Sequence, residues 1–191
     1  MMRRGSAILA VLGVVLACTG CSTAPWRTPF CTKTDDSFFV LLAQSVPSAT
    51  ELPCVAEFPA GWTFGGSDIS SGLARFWLDS DRGGLHAVEV SLRRSCDTSG
   101  AVEEQPAPDE VGTRVFVRPD SLEPSFTGTR FLLFDGGCIA YTFHFSNGAP
   151  STLAIEAVDA LSLLPRATIV AEVAKDPGLI LCGAEAPPCA G

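Results

Sequence analysis

Cysteines set the first limits on this fold: eight of them, at positions 18, 21, 31, 54, 96, 138, 182 and 189, are spread over 191 residues. A structural zinc site gathers its ligands in close pairs such as C-x-x-C, and only Cys18 and Cys21 have that spacing. Those two close an unbroken apolar run, residues 7–17, that follows Arg3 and Arg4. The run is shorter than the roughly 20 residues that a bilayer-crossing helix needs, so with its basic flank it reads as an export signal. The arginine pair also fits a twin-arginine signal for export in the folded state. A cysteine-rich domain is better served by crossing unfolded and oxidising outside, so the ordinary route is expected.

The segment Leu16-Ala17-Cys18-Thr19-Gly20-Cys21-Ser22 resembles the lipobox of bacterial lipoproteins, in which small residues lead into a cysteine that is acylated and becomes the mature N-terminus. The resemblance covers residues 1–22 alone. Val15-Leu16-Ala17-Cys18 fits the same pattern, so parity is used to choose. With Cys21 as the lipidated residue, Cys18 leaves with the signal, and Cys31, Cys54, Cys96, Cys138, Cys182 and Cys189 can all pair. With Cys18 as the anchor, Cys21 remains as an odd thiol in an oxidising compartment. The expected organisation is therefore a signal peptide over 1–20, a tether over 21–30 containing Pro25 and Pro29, and a single extracytoplasmic domain over 31–191, anchored to the cell membrane by palmitate-type chains.

Six cysteines allow 15 connectivities. Cys182 with Cys189 would close a proline-rich tail loop and Cys31 with Cys54 would staple the first helix to the entry of the sheet, which leaves Cys96 with Cys138; sequence alone does not choose among the alternatives.

Residues 21–191 number 171, enough for one domain with a substantial core. Lysines and arginines total 13 against 21 acids; Arg3 and Arg4 leave with the signal, so the remainder carries a net charge of −10. That balance argues against nucleic acid as a partner, because phosphate recognition needs a concentrated basic surface. It equally assigns membrane attachment to the lipid rather than to electrostatic adhesion. There is no second apolar span and no internal repeat.

Thr34-Asp35-Asp36 followed by Phe38, Phe39, Leu42 and Ser45 has the cap, acidic first turn and spacing of a short helix closed by Pro47. From residue 62 to 145 the period changes to two, and strands are expected over 62–65, 74–78, 87–94, 113–118, 130–134 and 138–145. The hairpin-sized links make neighbours antiparallel. Residues 97–112 read as a mobile acidic loop. Ser151 is expected to cap a helix through Ile155, Val158 and Leu161, Pro165 to start another running to about Lys175, and residues 179–181 to form a last strand. The expected fold is α+β: a disulfide-stapled antiparallel meander of five to six strands with helices from both chain ends on one face. Strand parity assigns to that face Phe76, Leu78, Val88, Val90, Leu92, Val115, Val117, Phe131, Leu133, Ile139, Tyr141, Phe143 and Phe145.

The opposite parity gathers Arg75, Trp77, Arg93, Arg114, Phe116, Arg118, Arg130 and His144, so several of the few basic residues of an acidic chain share a face. Such a surface suits an envelope glycan, an anionic lipid or a protein partner, through bidentate hydrogen bonds and stacking. The plainer account is a solvated sheet face whose arginines pair across strands with Glu89 and Asp79. Catalytic signals are sparse: there is no G-x-S-x-G, no H-E-x-x-H and no phosphate-binding glycine loop. Asp79-x-Asp81-x-Gly83-Gly84 resembles the start of a calcium loop, but position 90 is valine where a bidentate glutamate would be needed. No metal and no cofactor is expected.

These residues lead to a membrane-tethered binding or accessory module of the cell envelope. Two other classes remain open: an envelope hydrolase or transferase using His144 or an acid, and a regulatory or structural subunit docking through the acidic loop around Glu103 and Glu104.

Overall fold

The computed structural model describes residues 28–35, 37–108 and 110–189. The expected signal segment, the acylated cysteine, residues 21–27 of the tether, Asp36 and Asp109 lie outside them. Phe30 bridges to Val55, and helix α1 (Ser37–Ser45) ends just before Pro47, as its sequence demands. Strands β1 (Glu51–Val55), β2 (Trp62–Ser70), β3 (Leu73–Ser80) and β4 (Gly84–Arg93) follow. A long excursion leads to β5 (Val102–Glu104), and then come β6 (Arg114–Ser121), β7 (Thr127–Phe134) and β8 (Gly137–His144). Helix α2 (Thr152–Asp159), β9 (Leu161–Pro165) and helix α3 (Arg166–Val173) complete the elements.

The architecture is α+β. Seven antiparallel strands lie in the order β2-β3-β4-β8-β7-β6-β5, and β1 pairs with β9 in a separate two-stranded sheet. All six expected strands are present. β1, β5 and β9 are additional, and residues 179–181 form no strand. β1 escapes notice because Pro53 interrupts it; a two-stranded pair has free edges that tolerate a missing amide proton. Leu161 belongs to β9 rather than to the preceding helix, because Pro165 steers residue 164 into extended geometry and the segment pairs with residues 51–55.

The strand order also departs from a simple meander. β8 returns to pair with β4, so residues 94–113 must carry the chain from the middle of the sheet to its far edge. β8 takes the central place because Cys138, Ile139, Ala140, Tyr141 and Phe143 form an apolar run suited to burial on both faces, and all five are buried.

One face of the sheet carries Phe76, Leu78, Val88, Val90, Leu92, Leu132, Ile139, Tyr141 and Phe143, covered by Phe39 and Leu42 of α1, Leu52 and Val55 of β1 and Ile169 of α3. Each such side chain contributes about 1.5–3 kcal/mol through burial. Strand β7 is out of phase with the sequence reading. The Asp135-Gly136 turn pairs Phe134 with Gly137, which sets Leu132 against Ile139 and Arg130 against Tyr141. Leu132 and Arg130 therefore take the helix-covered face, while Phe131 and Leu133 take the other: a tight turn fixes register, and a slip of one residue exchanges every side chain. Gly136 has φ +71°, and a Cβ there would collide with the Ser48 carbonyl oxygen of the loop after α1. Ser48 Oγ donates to Gly136 O at 2.6 Å and Thr50 Oγ1 to Asp135 O at 2.9 Å, so the turn that sets the register is held by the opposite layer.

Three disulfides, Cys31–Cys54, Cys96–Cys138 and Cys182–Cys189, close chain separations of 23, 42 and 7 residues, the pairing that loop position had suggested. Among the described residues no helix is long and apolar enough to cross a membrane.

Candidate functional site

The outer face, turned away from the helices, falls into two halves. Beyond β4 the chain passes Cys96, whose bridge to Cys138 ties it across the central strand. Cys96 and Ala101 then pack with Phe116, Phe131, Leu133, Cys138 and Ala140 in a second, small apolar cluster. The crossover thus runs over the outer side of β8, β7 and β6 before β5 joins the edge beside β6. Small Ala140 on the outer side of β8 leaves room for it. The expected acidic loop is in this way held at both ends: Glu103 and Glu104 lie in β5, and Glu110 is buried.

Arg114, Phe116 and Arg118 belong to this covered half. The Arg114 guanidinium lies 5.0 Å from the Phe116 ring centre and binds Glu103 at 2.9 and 3.1 Å. That double hydrogen bond holds the Glu103 carboxyl below the usual range and raises Arg114. Arg118 rests 5.3 Å over Phe131, donates to the Ser99 carbonyl at 3.3 Å and approaches Asp120 at 3.5 Å. Asp97 is lowered chiefly by the Ser99 hydroxyl, then by the Ser99 amide and by Arg118. These side chains fasten the crossover to the sheet.

The other half, over β2, β3 and β4, is open. Arg75 faces Asp68 on β2 at 2.8 Å and Glu89 on β4 at 3.9 Å, and its guanidinium sits 5.3 Å from the Trp77 ring centre. The hydrogen bond that Arg75 donates to Asp68 is the largest influence raising Arg75. Trp77 Nε1 donates to Glu89 at 3.1 Å, and the His86 ring stacks on the indole at 5.0 Å with 20° between planes. His86 is a non-glycine residue at φ +50°, a sparsely populated conformation, held by its amide donating to Asp79 Oδ1 at 2.6 Å. Arg75 precedes Trp77 by two residues along β3, and His86 lies beyond it across from Asp79, so the indole is flanked from both directions. Leu85, next to His86, is 84 % exposed.

Six of the eight residues that parity gathered on this face therefore divide between its halves: Arg75 and Trp77 in the open one, Arg114, Phe116 and Arg118 in the covered one, and Arg93 at the end of β4 opposite Cys138. His144 is on the same face, opposite Thr127 at the far end of β8 and exposed. Arg130 is not on it. Its side chain points to the helix-covered side, where it is 13 % exposed and binds Glu110 at 2.7 Å, because the register of β7 reverses the assumed parity.

Asp68 and Ser99 complete the arrangement and escaped the sequence reading, as did the stacking of His86 on Trp77. Asp68 stands directly opposite Arg75, a relation that appears only once β2 is known to extend to Ser70. Asp68 and Glu89 thus answer Arg75, Glu103 answers Arg114 and Asp120 answers Arg118, so these three do not form a basic patch but an alternation of charges around aromatic rings. Among the described residues no group of three or more His, Cys, Asp or Glu side chains could hold a metal ion. Comparison with protein-family models, with curated proteins and with solved structures finds no match for the chain.

Proposed function

We propose that the chain is an exported lipoprotein, tethered to a membrane through Cys21, whose open sheet face docks a protein partner of the cell envelope. The lipobox-like segment supports the tether, and three disulfides suit a domain that works in an oxidising compartment. The observation that carries the docking reading is the Arg75–Trp77–His86 array beside Leu85. Tryptophan and arginine supply most binding energy at protein interfaces, and an array braced by Asp68, Glu89 and Asp79 loses little side-chain freedom on binding. Because both sides of the indole already have neighbours, a sugar ring has little bare aromatic face to stack on. Because acids answer Arg75, Arg114 and Arg118, an anionic lipid meets no concentrated positive field there. A partner with its own mixed charges exchanges these pairs without leaving any of them unmatched.

The test is site-specific photo-crosslinking in intact cells of the source organism, with a photoreactive residue at Leu85 or, as a control, at the exposed Ala171 of α3. The reading expects membrane fractionation of the chain, one discrete cross-linked protein from position 85 and none from 171, and loss of that product in Trp77→Ala. A chain that stays in the cytosol, or identical products from both positions, overturns it.

A further inference from the structure

On the opposite side of the sheet, the covering layer is narrower than the seven strands. Where it ends, a groove of about 280 Å³ opens between α2 and the inner face of β6, β7 and β8, with Val117, Phe126, Phe143, Ile155 and Val158 among its walls. Helix α2 is apolar on more than the side it buries: Leu153 and Ala157 go into the core, yet Ile155 on the groove is 63 % exposed. Val102, opposite Val117 on β5, continues the apolar wall and is 69 % exposed. Leaving such side chains in water forgoes the stabilisation their burial would bring, and a concave apolar site with a few polar groups at one end is the usual form of a small-molecule site.

The polar end is made by Arg130 and Glu104. Arg130 is already engaged at 2.7 Å by Glu110, whereas Glu104 reaches it only at 3.5 Å and is 52 % exposed. One cation between two carboxylates leaves the mouth of the groove with an excess negative charge. We propose that this groove binds a small amphiphile with a single apolar chain and a cationic, ammonium-type head, the chain lying along α2 and the head facing Glu104. This inference concerns the other side of the sheet and stands independently of the docking face around Trp77.

The experiment titrates the full chain, carrying Cys18→Ser and Cys21→Ser so that no acyl chain of its own competes, with three probes kept below their aggregation concentrations: decyltrimethylammonium, decyl sulfate and tetramethylammonium. Calorimetry and chemical-shift mapping read the outcome. The groove predicts saturable one-to-one binding of decyltrimethylammonium, none of tetramethylammonium, and binding of decyl sulfate weaker by about 2- to 5-fold, the effect of one exposed charge. Glu104→Arg should invert the preference between the two decyl probes. Ala154→Trp should fill the groove and abolish binding, and Ile155→Gln, a change at an exposed site, should weaken it if the tryptophan variant fails to fold. Equal affinity for both decyl probes before and after Glu104→Arg overturns the assignment of the head; wild-type binding in a folded Ala154→Trp or in Ile155→Gln overturns the site.

Discussion

Arg130 and Glu110 form an ion pair of 2.7 Å on the covered side of the sheet, with side chains only 13 % and 6 % exposed. Glu110 Oε2 also accepts the Ala107 amide at 2.8 Å, so one carboxylate ties the loop after β5 both to itself and to β7. The Arg130 Nε is buried without a hydrogen-bond partner, which makes its charge the more dependent on Glu110.

Removing one member of such a pair leaves the other buried and uncompensated, at a cost of about 3–5 kcal/mol, whereas replacing both with apolar groups is close to neutral. Glu110→Ala should therefore destabilise the domain by about that amount. Glu110→Leu combined with Arg130→Met should recover most of the loss. Urea unfolding with the disulfides intact measures both; equal losses in the single and double variants would contradict the pair's role.

The three disulfides close loops of different length, and the chain-entropy account ranks their effects accordingly. Cys96–Cys138, spanning 42 residues, should contribute about 4 kcal/mol, and Cys182–Cys189, spanning 7, about 2 kcal/mol. Paired cysteine-to-alanine variants test the order by denaturant midpoint. Loss of the Cys96–Cys138 bridge should also expose the amides of residues 96–101 to hydrogen exchange, since that bridge holds the crossover against Ala140 and Phe131.

The strands were legible because half-buried sheets alternate, and Phe76, Leu78, Val88 and Val90 alternate cleanly. Strand β7 was misread because Thr129-Arg130-Phe131-Leu132-Leu133 has apolar residues of both parities; only the turn at Gly136 decides which set is inside. Loop position suggested the disulfide pairing without excluding the other connectivities, whereas it gave no sign of the crossover. Pairing of β4 with β8 is a contact between residues about 50 apart, and nothing local in residues 94–113 announces it. The candidate face was half visible for the same reason: parity put Arg75 and Trp77 together and pointed to Glu89 across the strands, while Asp68 comes from a strand whose extent and register are tertiary properties.

Arg166 is fully buried, and its guanidinium donates to three backbone carbonyls: Nη1 to Ala43 at 2.6 Å, Nη2 to Cys182 at 2.6 Å and Nε to Ala184 at 2.9 Å. Helix α1, helix α3 and the tail loop therefore meet at one side chain. Burial pushes its pKa down from the ordinary value, but an arginine remains charged and each bond is charge-assisted. Arg166→Ala should cost about 3 kcal/mol or more, since charged hydrogen bonds are worth about 1.5–3 kcal/mol each and the orphaned carbonyls stay buried. Arg166→Lys should fare little better, because an ammonium lacks the planar fork that reaches three directions. Thermal unfolding together with exchange protection of residues 182–189 reads both effects.

Acid and neutral pH should act on this domain in opposite senses at different carboxylates. Glu103 is lowered by the hydrogen bond from Arg114 and Glu156 by that from Arg82, so each contributes stability that is present above its ordinary value of 4.5 and disappears as pH falls through the lower folded value. Glu51, at the start of β1, is raised by burial; its charged form is penalised, and the penalty appears as pH rises through 4.5 and beyond the folded value. Glu51→Gln is therefore expected to raise stability at pH 7 and to leave it unchanged below pH 4, where the wild-type carboxyl is already neutral. Glu103→Gln is expected to lower stability at pH 7 and to converge with the wild type in strong acid. Urea midpoints collected for all three proteins across this range test the signs, and a Glu51→Gln variant less stable than wild type at pH 7 would show that the Glu51 charge is compensated after all.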